Sequence, residues 1–242
     1  MFELKKQRLL VLAPHPDDEV IGCGGLIKKI KDAGGKVYVL FLTVGDTRDF
    51  TKEGLSTGDQ RLKEVEVVAK FLKFDDYSVE FKGNDYHLKL DTLGQKVLMD
   101  VIERNSKVSI EKVKPTVVTF PSPASYNQDH RIVAAAAHAA LRPAPAGNKP
   151  GLKHFVSAVL SYKVPADMWT LENSSANNFF VPLDRTQVDA KIKALELYKS
   201  QLREAPSLRS SKIIESLVVL AGAMCGSDYA EAFGAWRVIS DK

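Results

Sequence analysis

The chain has 242 residues, of which 45% are hydrophobic and 26% are charged, and its formal net charge is +4. This composition is typical of a soluble globular protein that is long enough to bury a sizeable core. The basic residues form no dense block that alternates with aromatic residues, which argues against a nucleic-acid-binding protein. No apolar run is long enough to cross a bilayer or to form a signal-peptide core, so we expect a cytoplasmic protein without a membrane span.

A short stretch near the amino terminus carries the strongest functional signal. The apolar residues 9–13 predict a strand buried on both faces, and HPDDE (residues 15–19) follows it closely. Polar groups beyond the carboxyl end of a parallel strand lie where α/β proteins bind ligands. His15 and Asp18 are three residues apart, so they can converge on one ion, and an imidazole nitrogen with a carboxylate oxygen suits zinc. A third ligand from another strand end would leave one position for water.

The rest of the chain alternates between predicted helices and strands. A helix over 20–33 and a strand over 37–43 complete a right-handed strand–helix–strand unit, which starts a parallel sheet. Residues 44–59 predict a long loop and residues 144–153 a linker within the domain. The pattern favours one α/β domain over residues 1–242. The other predicted elements are helices over 60–72, 93–106, 131–141, 183–202 and 213–224, and strands over 79–81, 116–120, 156–162, 179–181 and 235–239.

A second histidine follows another predicted strand. The strand over 116–120 leads to NQDH (residues 127–130), ahead of an alanine-rich helix. His130 therefore lies at a strand end, where the third metal ligand is needed. A structural interpretation competes with this one, because Asp17, Asp18 and the later Asp-His pair can also cap the helices that follow them or complement the helix dipole.

Four segments stand out in order along the chain: APHPDDE with a trailing GCGG (residues 13–25), RLKE (61–64), NQDHR (127–131) and YAEAF (229–233). They resemble the signatures of the PIG-L (LmbE-like) de-N-acetylase family, and the first segment is the most specific of them. The resemblance implies a Rossmann-like fold with a mostly parallel sheet and helices on both faces. It also implies one zinc ion and removal of an N-acetyl group, usually from an amino sugar.

The residues and the resemblance point to the same hydrolytic mechanism. His15, Asp18 and His130 would hold one zinc ion, with Fe²⁺ or Co²⁺ as alternatives, and leave a fourth position for water. Zinc lowers the pKa of bound water to about 7, so a nearby carboxylate can take its proton. By resemblance Asp17 is not a ligand, and it is the candidate general base. The ion would also polarise the amide carbonyl.

One position departs from the family pattern. Many members carry a histidine three residues before the histidine of the Asp-His pair, where it helps stabilise the tetrahedral intermediate, and this chain has Asn127 there. Asparagine can donate a hydrogen bond to an oxyanion but cannot act as an acid near pH 7. Either Asp17 carries both proton transfers or Tyr126 or His87 assists, although a loop position favours an exposed His87. Asp129 is then expected only to orient the ligand histidine beside it.

The predicted substrate contacts rest on the resemblance. Arg61 matches the arginine of the RxxE motif, which contacts the substrate sugar or its phosphate-like substituent, and Asp85 resembles an acid that binds sugar hydroxyls. From the residues alone, Arg61 is equally a surface partner of Glu64, three residues along the predicted helix. We expect specificity to lie in the loops over 44–59 and 143–153.

The expected function is hydrolysis of the acetamide of a small N-acetylated amino sugar or its conjugate. Two alternatives stay open. One is an amidase of the same fold that acts on a different amide. The other is a non-catalytic relative that keeps the metal and binds a sugar, and Asn127 is the feature that supports this second alternative. A nucleotide-binding protein is disfavoured because the glycines of residues 22–25 do not form a GxGxxG motif. The resemblance also leaves a homo-oligomer as an option.

Overall fold

The computed structural model describes residues 3–48, 54–143, 153–169 and 177–239. The strands are β1 (Arg8–Ala13), β2 (Lys36–Val44), β3 (Thr47–Arg48), β4 (Leu55–Ser56), β5 (Asp76–Lys82), β6 (Val117–Pro121), β7 (Ala158–Tyr162), β8 (Phe179–Leu183) and β9 (Tyr229–Val238). The α-helices are α1 (Asp18–Asp32), α2 (Gly58–Leu72), α3 (Gln95–Asp100), α4 (Ile110–Val113), α5 (Gln128–Ala140), α6 (Arg185–Leu197) and α7 (Ser211–Cys225). Short 3₁₀ turns cover Leu4–Lys6, Leu90–Leu93 and Pro165–Met168, and a π-helical turn covers Val101–Asn105.

The central sheet is mostly parallel. Its seven strands lie in the order β5–β2–β1–β6–β7–β9–β8. The first five are parallel to their neighbours, whereas β9 runs antiparallel to both β7 and β8. Along the chain, the sheet grows from β1 through β2 to β5 and then resumes on the other side of β1 with β6 and β7. This reversal leaves a crevice beyond the carboxyl ends of β1 and β6, which is where open α/β sheets bind ligands.

Strand β1 is buried on both faces, as the sequence predicted. Leu9 and Val11 belong to an apolar core that includes residues of α1, α2, α6 and α7. Leu10 and Leu12 belong to a second core, which includes residues of α3 and α5. Because successive side chains of a strand point to opposite faces, the two cores lie on the two sides of the sheet. The predicted α/β fold, with a mostly parallel sheet and helices on both faces, is confirmed.

Helix α1 packs closely on its neighbours because it contains glycines. A Cβ atom added to Gly22 would lie 2.3 Å from the ring of Tyr162, and one added to Gly25 would lie 2.4 Å from Leu183. Both contacts are shorter than real Cβ atoms tolerate. The glycines behind HPDDE therefore allow close packing of α1 on its neighbours.

The YAEAF segment is part of β9 and contacts the same helix. The carboxylate of Glu231 accepts the backbone N–H groups of Gly25 at 2.8 Å and of Leu26 at 2.7 Å. Lys191 donates to Glu231 at 2.5 Å and to the carbonyl oxygen of Ile21 at 2.7 Å. The side chains of Lys191 and Glu231 are each 3% exposed, so a buried ion pair joins α1, α6 and β9.

Two predicted helices have different bounds in the structure. The helix predicted over 183–202 corresponds to α6, which ends at Leu197. The helix predicted over 93–106 is a 3₁₀ turn, α3 and a π-helical turn in succession. Gly94, with a φ of +76°, separates the first two, because a residue outside the right-handed helical region ends a helical turn.

The loops and the last strand also differ from the predictions. Strand β9 already includes YAEAF, so the strand predicted over 235–239 corresponds to its second half. The predicted loop over 44–59 contains β3 and β4, which pair antiparallel. Residues 49–53 of this loop and residues 144–152 of the predicted linker lie outside the described residues. Among the described helices, none has both the length and the apolar character needed to cross a membrane.

Replacing Gly22 with alanine is expected to lower the free energy of unfolding by about 1–2 kcal/mol. Overpacking against the buried ring of Tyr162 costs about 1–3 kcal/mol, and the higher helix propensity of alanine offsets up to about 1 kcal/mol. Urea unfolding measures the difference, with Gln60→Ala at an exposed position of α2 as a control that should stay within about 0.5 kcal/mol. An equally small effect of Gly22→Ala would mean that the ring moves aside freely.

Candidate active site

The loops that follow β1 and β6 meet beyond the carboxyl edge of the sheet and line a cleft. The cleft contains about 560 Å³ of empty space, part of which is open to solvent. His15, Asp17 and Asp18 reach it from the end of β1 and the start of α1, and Asn127 and His130 reach it from the start of α5. The cleft is thus at the crevice that the strand order creates.

Three predicted metal ligands come together in this cleft. One potential ligand atom from each of His15, Asp18 and His130 lies within 4.8 Å of the others, and all three residues are buried. Oδ2 of Asp18 lies 3.3 Å from Nδ1 of His15 and 3.2 Å from Nε2 of His130. The same oxygen accepts the backbone N–H of His15 at 2.9 Å, which fixes the carboxylate between the two rings.

Charges in the cluster favour an ionised Asp18. Burial opposes its ionisation, but His130 and His15 hold the pKa of the Asp18 carboxyl well below its usual range. Burial would also lower the pKa of His15, yet hydrogen bonds to Asp129 and Asp18 raise it to about 9. The buried carboxylates thus attract a positive charge to this point, and a divalent cation can supply that charge.

Asp129 contacts His15 rather than His130, which corrects the expectation that it orients the adjacent histidine. Its Oδ2 lies 2.9 Å from Nε2 of His15, and its Oδ1 accepts the backbone N–H of Leu90 at 2.9 Å. The correction has a geometric reason, since adjacent residues of α5 point in directions about 100° apart. When Nε2–H donates to Asp129, Nδ1 of His15 remains free to bind a metal ion and lies on the side of Asp18. This carboxylate–histidine pairing is typical of metal-binding histidines, so the residues present fit a zinc-like cation.

Asp17 lines the cleft beside the three candidate ligands. It precedes α1 and has a left-handed backbone conformation, with φ +103° and ψ −29°. Its side chain makes no capping hydrogen bond to the helix, which argues against the capping interpretation for this residue. Burial and then the Asp18 carboxylate raise the pKa of Asp17. A carboxyl group with a raised pKa is a stronger base when ionised.

Asn127 is the residue that caps the amino terminus of helix α5. Asp129 and His130 are therefore not needed for this cap. Its Oδ1 accepts the backbone N–H of Asp129 at 2.9 Å, and its own N–H donates to Oγ of Ser125. Ser125 in turn donates to Asp167 at 2.6 Å, which ties the loop after β6 to the loop after β7. The Asn127 side chain thus has a fixed place on the cleft wall.

Arg61 is 2% exposed, so the interpretation as a surface partner of Glu64 is wrong. Glu64 instead accepts hydrogen bonds from the backbone N–H and the hydroxyl of Ser200 at 2.8 and 2.6 Å. Nη1 of Arg61 donates to Thr47 at 3.0 Å, and Nη2 donates to the carbonyl oxygen of Pro16 at 3.0 Å. Arg61 lines the cleft, but these contacts direct its guanidinium towards the protein.

His87 is buried, contrary to the expectation of an exposed loop histidine, with 5% of its surface exposed. Its Nε2 accepts from Nη1 of Arg61 at 3.1 Å and lies 2.9 Å from the hydroxyl of Thr47. The ring packs edge-on against His15, with centroids 5.2 Å apart. Burial and the nearby positive charges of His15 and Arg61 lower the pKa of His87 to about 3. His87 is therefore neutral near pH 7, and it is not the missing acid.

The structure separates the remaining predicted contacts. Tyr126 lines the cleft and is 52% exposed, whereas Asp85 is exposed and is not among the residues that line it. The sequence analysis missed Arg209 and Gln201, which also line the cleft and are joined by a 3.1 Å hydrogen bond from Nη1 to Oε1. Both lie in or beside the polar segment between α6 and α7, and no local motif marks them.

Comparison with known proteins identifies the family. Residues 10–141, more than half of the chain, match the family model PIG-L, described as GlcNAc-PI de-N-acetylase. The chain belongs to the PIG-L family. The family predicted from four short segments is therefore confirmed.

Individual relatives extend over nearly the whole PIG-L chain. It is 27% identical over 235 residues to the diacetylchitobiose deacetylase of Thermococcus kodakarensis, covering 93% of this chain and 81% of that one. The conserved protein TT1542 of Thermus thermophilus superimposes with a TM-score of 0.70 at 25% identity, covering 98% and 97%. A 4-carboxy-2-hydroxymuconate hydratase of Pseudomonas putida also gives 0.70, at 24% identity and covering 98% and 99%. Since a hydratase shares the fold, the activity has to be argued from the site.

Replacing Asp129 with asparagine is expected to weaken divalent metal binding by about 10- to 100-fold. The substitution keeps the shape of the side chain but removes the charge that holds His15, and loss of such a support typically has an effect of this size. Isothermal titration with Zn²⁺ measures the affinity. Asp85→Asn is the matched control at an exposed carboxylate, and equal affinities for the two variants would contradict the role of Asp129.

Proposed function

We propose that this protein is a metal-dependent hydrolase that removes the N-acetyl group from a small amino sugar or amino-sugar conjugate. The observation that carries the proposal is the convergence of His15, Asp18 and His130 in a cleft that Asp17 also lines. Two imidazoles and one carboxylate suit a divalent cation that keeps a free position. The relative named as a diacetylchitobiose deacetylase supports an acetylated sugar as the substrate.

His15, Asp18 and His130 would hold the ion, for which we propose zinc, with Fe²⁺ or Co²⁺ as alternatives. When bound, zinc lowers the pKa of water and polarises a carbonyl oxygen. Asp17 is the proposed general base. Among the described residues that line the cleft, Asp17 and Asp18 are the only carboxylates, and Asp18 is held between the two histidines. Asp17 is thus free to take a proton from water and to pass it to the leaving amine.

Asn127 is the proposed hydrogen-bond donor to the developing oxyanion. Its Oδ1 already accepts the N–H of Asp129, so its –NH₂ group is the part that remains for a substrate. A neutral amide can stabilise negative charge without giving up a proton. The low pKa of His87 excludes it as an acid near pH 7. Burial raises the pKa of Tyr126, which makes this cleft residue a weaker acid, so we assign both proton transfers to Asp17 in this scheme.

Arg209 bears on the kind of sugar conjugate that fits. Arg209 is half-buried at the cleft wall, and no carboxylate of the described residues forms an ion pair with it. Both terminal nitrogens of Arg61 donate to protein groups, whereas Arg209 donates to Gln201 through Nη1. A guanidinium at the wall of a binding cleft suits a carboxylate or phosphate. We therefore include acidic amino-sugar conjugates in the proposed substrate class and assign Arg209, rather than Arg61, to their recognition.

The wider proposal treats residues 1–242 as one cytoplasmic domain that binds a small molecule and no nucleic acid, with a homo-oligomer as an option. Two other functions compete with it. An amidase of the same fold would act on a different amide, and a non-catalytic relative would bind metal and sugar without turnover. The role of Asp85 in binding sugar hydroxyls also stays a prediction, and it requires the substrate to extend beyond the cleft.

Replacing Asp17 with asparagine is expected to lower the rate of acetate release by about 100- to 10,000-fold, because the general base is lost. Metal content should be unchanged, since Asp17 is not among the three convergent ligands. The measurement combines an acetate assay on neutral and acidic N-acetyl amino sugars with metal analysis of the same samples. Asp91→Asn, outside the cleft, is the matched control.

The outcomes separate the three functions. Sugar binding without acetate release in the wild-type protein would favour the non-catalytic relative. Release of a different acid from a different amide would favour the amidase. An Asp17→Asn variant with the wild-type rate would remove Asp17 as the base.

Replacing Arg209 with methionine is expected to raise KM for an acidic conjugate by about 10-fold, the equivalent of one charge-assisted hydrogen bond. KM for a neutral N-acetyl sugar should change little. Steady-state kinetics on the matched pair of substrates measures both values. An equal rise in KM for both substrates would show that Arg209 does not recognise the negative charge of the substrate.

A further inference from the structure

The peptide unit between Pro16 and Asp17 is held at both of its polar ends. Its carbonyl oxygen accepts a hydrogen bond from Nη2 of Arg61 at 3.0 Å. Its N–H group donates to Oε2 of Glu19 at 3.1 Å. One rigid plane thus lies between two buried side chains, one from α2 and one from α1.

Both side chains are buried and have anchors of their own. Arg61 is 2% exposed, and its Nη1 donates to Thr47 and His87. Its Nε is buried without a partner among the described residues, so this atom does not reach into the open cleft. Glu19 is fully buried, and its Oε1 accepts the hydroxyl of Tyr198 at 2.6 Å. The anchors come from segments that follow β2, β5 and α6.

The clamped peptide precedes a residue in an unfavourable conformation. Asp17 has φ +103° and ψ −29°, a region that side chains other than glycine rarely occupy. Such a conformation persists only where the surroundings determine it. Rotation about φ of Asp17 would turn the peptide plane away from Arg61 and Glu19, so the two hydrogen bonds fix the direction in which the Asp17 side chain leaves the backbone.

We propose that Arg61 and Glu19 are positioning residues that clamp the Pro16–Asp17 peptide and thereby aim the Asp17 carboxylate into the cleft. The inference rests on the proposed function, in which Asp17 is the general base. It replaces the substrate contact expected for Arg61 with an action through the backbone. It also gives a positioning role to Glu19, the last residue of HPDDE.

The kinetic test compares Arg61→Met, Glu19→Met and the double variant. A misdirected base slows the chemical step without altering substrate binding, so each single change should lower kcat by roughly 10- to 100-fold and leave KM nearly unchanged. Because both residues hold one peptide, the double variant should lose no more than the worse single variant. The clamp would be overturned if the loss of kcat in the double variant equalled the product of the two single losses. A rise in KM with kcat unchanged would also overturn it.

Conservative variants keep the test valid if a methionine variant does not fold. Glu19→Gln retains an oxygen that can accept the Asp17 N–H, so it should keep most of the wild-type kcat. Arg61→Lys retains a single donor for the Pro16 carbonyl and should lie between wild type and Arg61→Met. Arg104→Met, at an exposed position outside the cleft, is the control with the same loss of charge, and its kcat and KM should stay near the wild-type values. A loss of kcat in Glu19→Gln as large as in Glu19→Met would count against the clamp.

Crystal structures of the single variants test the clamp without any assay of activity. The clamp predicts that Asp17 leaves the left-handed region and that its carboxylate turns away from the cleft, while metal content stays at the wild-type level. A φ near +103° in both variants would overturn the inference even if turnover had fallen. If the wild-type protein releases no acetate from any substrate, the proposed function fails, and the crystal structures still decide the clamp.

Discussion

The carboxylate of Asp18, held between two histidines, is the interaction on which the candidate site depends. One oxygen of this carboxylate lies close to both rings. His15 belongs to the same loop as Asp18, whereas His130 belongs to a helix that begins far along the chain. The two histidines meet because β1 and β6 are adjacent parallel strands whose carboxyl ends point the same way. The cation-attracting cluster therefore exists because the strand order reverses between β1 and β6.

The loop between β1 and α1 is short, but side chains from several other elements determine its geometry. Asp129 of α5 fixes the ring of His15, while Arg61 of α2 and Glu19 of α1 hold the peptide before Asp17. A left-handed non-glycine residue carries a strain of about 1–3 kcal/mol, which the folded surroundings have to offset. The apolar cores on both faces of β1 provide the rigid base from which this loop leaves.

Sequence reasoning succeeded where the signal is local or where strand order alone suffices. HPDDE predicted the end of β1, and the two strand exits predicted that His15, Asp18 and His130 would converge, which they do. The sequence did not predict side-chain directions or contacts between segments that are distant in sequence. Asp129 turns to the more distant histidine, and His87 is buried by partners from two other segments. Arg209 reaches the cleft from a segment without a motif. Such contacts depend on how loops pack in three dimensions, which a one-dimensional pattern does not encode.

The buried ion pair of Lys191 and Glu231 connects segments that are far apart in the sequence. Glu231, from the last strand, binds backbone N–H groups in the middle of α1, the helix that begins at Asp18. A nascent chain that has not yet reached β9 lacks the acceptor for those groups. During synthesis, helix α1 therefore gains this support only after residue 231 has been made, although the helix itself is complete by Asp32.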